Sequence, residues 1–180
     1  MLEAGILRDG EALELIDGLL IYRDRSARGG DPKTIGEKHN LVIKLLARLE
    51  ADLEGLGAQM QTQGPVRLSE TNEPEPDGAV VRGGPRDCSA RVPAGADVES
   101  IIEVADSSLE YDRSTKAAMY ARAGLAQYVI VNVRDARIEV LEQPAEGTYT
   151  LSRVIFPDGS VELRAPGGKR LLVAAARLLP

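Results

Sequence analysis

With one cysteine, one histidine, one phenylalanine and no tryptophan in 180 residues, the sequence excludes several classes of protein at once. Cys88, alone, can form no intramolecular disulfide. With His39 as the only imidazole, neither a Cys-rich nor a Cys/His-rich zinc site can be assembled. The five Tyr are the other aromatics, so the core must be built from Leu, Val, Ile and Ala. No apolar run approaches the roughly 20 residues that span a bilayer. The N-terminal residues lack the charged-then-apolar order of a secretory signal. A soluble, cytoplasmic protein is the expectation. Net positive charge is missing too: the balance is −6, which argues against tight nonspecific binding to a polyanion, because phosphate contacts dominate such affinity. A phosphate-binding glycine loop, a dinucleotide fingerprint and a nucleophile elbow are all absent.

What is present fits one α/β domain over residues 1–180, with 43% apolar residues to fill its core. From Arg23 to Lys44 the charge runs against the whole: Arg23, Arg25, Arg28, Lys33, Lys38 and Lys44 stand against Asp24, Asp31 and Glu37. Such a segment is either a solvated loop and helix face or a local basic patch. Asp17-Gly18 between two short apolar runs predicts a hairpin over Leu13 to Tyr22. Leu41, Val42, Leu45, Leu46, Leu49 and Leu53 fall on one helical stripe, predicting a helix from about Ile35 to Leu56. Strands are expected at Gln61 to Leu68, Gly78 to Arg82, Glu99 to Ala105, Gln127 to Val133 and Arg137 to Leu141. A second helix is expected from Asp112, as its N-cap, to Ala123, with Gly124 at its end. Tyr149 to Ile155 and Ser160 to Leu163 read as a closing hairpin around Pro157-Asp158-Gly159, and Leu171 to Leu179 as strand or helix. This order gives a mixed sheet with helices packed on it.

Two acidic residues adjoin buried strands. Glu103 lies within Ile101-Ile102-Glu103-Val104-Ala105, where alternation places Ile101, Glu103 and Ala105 on one face. A carboxylate there is costly to bury unless it is paired or metal-bound. Asp77, in Pro76-Asp77-Gly78, immediately precedes a second apolar strand, although the same tripeptide is also turn chemistry. If the strands are neighbours, the two carboxylates converge. About 4 Å apart they would repel by roughly 4 kcal/mol at an effective dielectric near 20, and a divalent cation reverses the sign. Oxygen ligands suit Mg²⁺, which keeps several waters and takes one or two carboxylates. Lys116, on the following helix, is either a solvated lysine or a group that stabilises charge on a phosphate. Tyr120, one turn further on the same face, reads as packing. Glu37 and His39 open the first helix and face either solvent or the site. Glu14 is a further candidate acid that its strand position does not single out.

These residues, in this order, resemble the Uma2 family (DUF820). The resemblance rests on Glu14-Leu15-Ile16-Asp17-Gly18, His39 at the head of a Leu-rich helix, Pro76-Asp77-Gly78-Ala79-Val80-Val81, and Ile102-Glu103-Val104. It continues through Ser108, Asp112, Lys116, Tyr120-Ala121-Arg122-Ala123-Gly124 and Tyr128-Val129-Ile130-Val131. It runs from about Glu11 to Val140. The family is grouped with restriction endonucleases of the PD-(D/E)XK superfamily. The resemblance therefore implies a restriction-endonuclease-like core: a mixed β-sheet flanked by helices, with an N-terminal β-hairpin and C-terminal β-hairpins. It assigns Pro76-Asp77 to the "PD" element and Glu103 to the acidic element. The lysine usual two residues later is replaced by Ala105, and Lys116 matches the lysine that this family places on the next helix. Asp106 adds an acid where the family commonly has Ser, and Val129 stands where Trp is frequent.

The implied activity is a metal-dependent endonuclease acting on DNA. Asp77, Glu103 and the Val104 carbonyl would hold Mg²⁺, with Mn²⁺ able to replace it, and Lys116 would complete the catalytic set. Glu37, His39, Glu14 and Asp106 would be accessory, Arg23, Arg25, Arg28 and Lys38 would contact the nucleic-acid backbone, and the active form would be a homodimer. A catalytically silent binding or scaffold protein with a nuclease fold, and a hydrolase of small phosphate esters, are the alternatives that the residues leave open.

Overall fold

The computed structural model describes residues 13–22, 36–87 and 91–180. Arg23, Arg25, Arg28, Lys33 and Cys88 lie outside the described residues. Strands β1 (Leu13–Ile16) and β2 (Leu19–Tyr22) pair antiparallel around Asp17-Gly18. Both turn residues have positive φ, 47° and 78°, which the right-handed twist of a two-residue hairpin demands and which Gly and Asp tolerate.

The long helix expected over 35–56 is divided into α1 (Glu37–Ala47) and α2 (Glu50–Glu54). At the join the Arg48 and Leu49 N–H groups bond to Leu45 and Leu46 carbonyls, a tightening to three-residue spacing that ends the α-helical ladder. The core stripe survives through Val42, Leu46, Leu49 and Leu53, but Leu41 is 43% exposed and Ile43 is buried in its place. The stripe's centre thus lies one residue later than the leucines alone suggest.

Strand β3 (Ala58–Thr62) lies earlier than the 61–68 expectation, since Gln63 turns the chain at φ 50° and Pro65 follows, which cannot donate to a ladder. It is followed by β4 (Gly78–Arg82) and β5 (Val98–Ala105). Helix α3 (Leu109–Tyr111) leads through a π-helical turn (Asp112–Lys116) into α4 (Ala117–Arg122), and Gly124 ends it at φ 73°. Asp112 is therefore inside the helical segment rather than at its N-cap; Ser108 is the residue that precedes it. Strands β6 (Gln127–Asn132), β7 (Arg137–Ala145) and β8 (Thr148–Ile155) complete a six-stranded sheet in the order β3-β4-β5-β6-β7-β8. Only the β5–β6 pair is parallel, and the sheet is mixed.

Strands β9 (Ser160–Arg164) and β10 (Arg170–Ala174) pair with each other. This corrects the expected β8–β9 hairpin. The tight turn at Pro157-Asp158-Gly159 does form, with the Gly159 N–H donating to the Phe156 carbonyl at 2.9 Å, but β9 leaves the sheet plane. Val161, Leu163 and Val173 are buried in the same cluster as the α1 and α2 stripe, so the hairpin covers a sheet face instead of extending its edge.

The two faces carry separate cores. Ile102, Val104, Val129, Val131, Ile138 and Val140 pack on the α1, α2 and β9–β10 side; Ile101, Ala105, Tyr128 and Ile130 pack on the α4 side with Met119 and Tyr120. At Gly78 a Cβ would stand 3.1 Å from Leu46 Cδ1 and 3.4 Å from Ile102 Cβ, so a glycine lets β4 run close beneath α1. Gly78→Ala is expected to cost about 1–3 kcal/mol by overpacking, read as a lowered urea midpoint. An unchanged midpoint would show that the contact is slack.

Candidate active site

Strand β4 begins at Gly78, opposite Ile102 of β5. Asp77 therefore sits where β4 has not yet started and β5 continues. Its Oδ2 accepts the Val104 N–H at 2.9 Å, so a carboxylate takes the place that a neighbouring strand's carbonyl would fill. Its Oδ1 lies 3.2 Å from His39 Nε2, which α1 brings from one side of the sheet. Asp77 and Glu103 are 3% and 2% exposed.

Glu103 points to the other side. Its Oε1 accepts from Lys116 Nζ and from the Tyr120 hydroxyl, each at 2.8 Å. The spacing of four residues puts Lys116 and Tyr120 one turn apart on one face of the helix, so both reach the same oxygen. Tyr120 packs, as the sequence suggests, but it also orients the carboxylate. Lys116 Nζ is 3.3 Å from Glu14 Oε1, and the same oxygen accepts the Glu75 N–H at 2.9 Å. Glu14 is 3% exposed. The β1–β2 hairpin thus delivers a third buried carboxylate, which its local sequence did not distinguish. Asp112 is a fourth: 2% exposed, it accepts the Ser108 hydroxyl at 2.6 Å. Its place four residues before Lys116, one turn away on the expected helix, was the available signal.

Carboxylates outnumber cations here, and the protonation equilibria reflect it. Burial pushes the Glu103 carboxyl up to about 8; Lys116 pulls it down, while Asp77, Asp112 and Glu14 push it further up. Asp112 is raised for the same first reason, against the pull of Lys116 and of the Ser108 hydrogen bond. For Lys116, burial favours the neutral amine, but Glu103, Glu14 and Asp112 together hold its pKa above the ordinary lysine value. It is a fixed cation at any physiological pH.

The remaining candidates lie further out. Glu37 and Lys38 are exposed on the first turn of α1, and Asp106 is half-buried just beyond β5. Val104 enters through its N–H. Among the described residues no three His, Cys, Asp or Glu side chains form a ready-made metal cage. The donor chemistry still fits a hard divalent cation. Two carboxylates with retained water are a normal Mg²⁺ set, both described hydrogen bonds of Glu103 fall on Oε1 and leave Oε2 as a ligand atom, and the local excess of carboxylates favours an added positive charge. Among the described residues no helix is long and apolar enough to cross a membrane.

Comparison with known proteins bears on the family and the fold. The model of the Uma2 family, described as "Putative restriction endonuclease", matches residues 2–171. The fold is similar to the crystal structure of "a putative nuclease belonging to DUF820" from Anabaena variabilis ATCC 29413, with TM-score 0.66 and 14% sequence identity over 98% of this chain and 94% of that one. No curated protein matches the chain in sequence.

Proposed function

From the premise that the chain belongs to the Uma2 family, we propose that its 180 residues form one nuclease unit, a divalent-cation-dependent endonuclease that hydrolyses phosphodiester bonds in DNA. The observation that carries this reading is a pair of buried carboxylates at the β4–β5 junction: Asp77 accepts the Val104 N–H, and Glu103, the residue before Val104, feels the Asp77 charge and holds the Lys116 ammonium at 2.8 Å. Asp77, Glu103 and the Val104 carbonyl would hold Mg²⁺ or Mn²⁺. When bound, the cation supplies a Lewis acid for the phosphoryl oxygen and lowers the pKa of a water.

The chain's own residues supply the rest. The Val104 N–H and His39 fix the Asp77 carboxylate, one on each oxygen. Tyr120 and Lys116 fix the rotamer of Glu103 by gripping one oxygen. Lys116, held charged by its three acidic neighbours, stabilises the negative charge that develops on the phosphate and orients the attacking water. Glu14 keeps that ammonium aimed at the site, with Glu37 and Asp106 as outer acids. Lys38, Arg23, Arg25 and Arg28 would contact the backbone of the nucleic acid, which positions it without reading sequence. Cutting both strands of a duplex would take a homodimer, with one site per strand, and the reaction belongs to the cytoplasm.

The test is incubation of the purified protein with supercoiled plasmid, single-stranded DNA and nucleotides, with Mg²⁺ or Mn²⁺ or with EDTA. Cation-dependent nicking or linearisation is expected. Hydrolysis of nucleotides alone, or no hydrolysis of any substrate under any of these conditions, overturns the proposal. Calorimetric titration with Mn²⁺ is expected to give one saturable event that Asp77→Asn removes, and equal heats from both proteins would place the cation elsewhere.

A further inference from the structure

On the sheet face opposite Glu103, three arginines surround a single carboxylate. Within β7, Ile138, Val140 and Glu142 alternate onto the α1 side of the sheet, and β8 and the β9–β10 hairpin bring Arg153, Arg164 and Arg170 around Glu142. Arg153 Nη2 donates to its Oε2 at 2.5 Å, Arg170 Nη1 to its Oε1 at 3.1 Å, and Arg164 Nη1 is 4.0 Å from Oε1. These side chains line a cleft of about 380 Å³, within the size range of small-ligand sites. Leu151 and Pro144 form an apolar wall.

Two of the lining residues, Glu142 and Arg164, are held from behind. Gln127, fully buried, accepts the Ser100 hydroxyl at 2.6 Å and the Arg164 N–H at 3.1 Å through Oε1, and donates to Glu142 and to the Glu162 carbonyl. Burial pushes the Glu142 carboxyl up, but the Arg170 hydrogen bond and the charges of Arg153 and Arg170 outweigh it and hold the group below the usual carboxylate range. Glu142 is thus a permanent anion that neutralises one arginine of the three. Glu162, exposed at the cleft, offsets a second, which leaves a local charge of one positive unit in a chain of −6.

Ion pairing within the protein leaves most of these donors unused. A guanidinium carries five N–H groups in a fork that matches an oxyanion, and among the described residues the Arg153 and Arg170 side chains bond only to Glu142. The Nε–H of Arg164 is buried and without a hydrogen-bond partner, a state that native proteins rarely leave uncompensated. A cluster that served only to seal the hairpin onto the sheet would need one arginine for one carboxylate. We propose that this cleft binds a phosphate-class oxyanion, at a site separate from the Asp77–Glu103 pair and independent of any cation there.

Inorganic phosphate is the probe, titrated calorimetrically in EDTA at constant ionic strength, so that no divalent cation mediates the binding. Saturable binding is expected, weakened at least about tenfold in Arg164→Gln, the loss that follows from removing a charge-assisted hydrogen bond. Glu142 keeps two arginines in that variant, so the fold, checked by circular dichroism, should hold. Glu142→Gln shifts the affinity the other way, tightening phosphate binding several-fold, because the competing carboxylate is gone. A merely structural cluster would show a stability loss there and no gain in affinity. A 5′-mononucleotide and a short 5′-phosphorylated strand, titrated in parallel, distinguish a free ligand from a strand end by which binds more tightly. No phosphate binding to the parent, or parental affinity in Arg164→Gln, overturns the proposal. The double variant Asp77→Asn/Glu103→Gln is expected to bind phosphate as the parent does, so that failure of the nuclease reading leaves this result standing.

Discussion

On the proposed function, Asp77→Asn, Glu103→Gln and Lys116→Met are each expected to lower cation-dependent DNA cleavage by at least about a hundredfold, the scale of loss when a group stabilising transition-state charge is removed. The three variants differ in a second readout. Asp77→Asn and Glu103→Gln lose Mn²⁺ binding, because each removes an anionic oxygen of the cation's set. Lys116→Met retains it or strengthens it, since the ammonium competes with the cation for Glu103 and Glu14. The methionine variant buries two carboxylates without their cation, an arrangement that normally costs several kcal/mol unless one takes up a proton, so its melting curve must accompany the rate. Tyr120→Phe removes only the second donor to Glu103 and is expected to reduce cleavage about tenfold, in proportion to one hydrogen bond. Parental rates in both acid variants would show that the activity lies elsewhere or comes from a contaminant. Mn²⁺ binding lost in Lys116→Met, with the fold intact, would place the ammonium in the cation's own support rather than in catalysis.

The same Glu103→Gln change is expected to make the cation-free protein more stable. With its folded pKa pushed from the ordinary 4.5 to about 8, Glu103 is protonated in the fold and ionised in the unfolded chain throughout that window. The folded state then binds more protons than the unfolded one, so this group's contribution falls as pH rises from about 4.5 to about 8 and is constant beyond. Glutamine mimics the neutral acid and still accepts from Lys116 and Tyr120. At pH 8 in EDTA the variant should melt above the parent, because unfolding the parent then releases a proton that the neutral amide does not carry. At pH 5 the gain should nearly vanish. On the proposed cation site, added Mn²⁺ is expected to raise the parent's Tm but not the variant's, because only the parent would bind it. A variant that melts below the parent at pH 8 in EDTA would show Glu103 ionised and stabilised by Lys116 instead. Glu139 and Glu142 act in the opposite sense. For both, burial raises the carboxyl, but arginine partners outweigh it and hold the pKa below 4.5. Their support is complete above that pH and is lost on acidification, so acid unfolding and the Glu103 effect occupy separate pH ranges.

Such an outcome, a proposed site residue whose neutral isostere is more stable, would be the usual trade between function and stability. It follows from crowding Glu14, Asp77, Glu103 and Asp112 around one lysine. A core selected only for stability would not keep four carboxylates where burial disfavours every charge.

The sequence alone determined a good deal. Short unbroken apolar runs located β4, β5 and β6, because a strand buried on both faces needs apolar side chains on both, and a carboxylate within such a run, as at Glu103, is visible against that background. Asp17-Gly18 specified its hairpin because the backbone there requires positive φ, a local demand with a local signature. The Leu-rich stripe located the first helical segment, though not its break at Arg48. Tertiary structure decided the rest. Whether Asp77 is a turn residue or a site residue depends on where β4 starts relative to β5, which register sets and local sequence does not. Glu14 is buried only because the β1–β2 hairpin is carried to Lys116, 102 residues away in the chain. Strand β9 pairs with β10 and not with β8, and there Val161 and Leu163 are buried in the core on one sheet face, a choice among long-range partners that hydrophobic alternation leaves open. Local backbone demands are encoded in a few adjacent residues. The meeting of distant carboxylates is encoded only in how the whole chain packs.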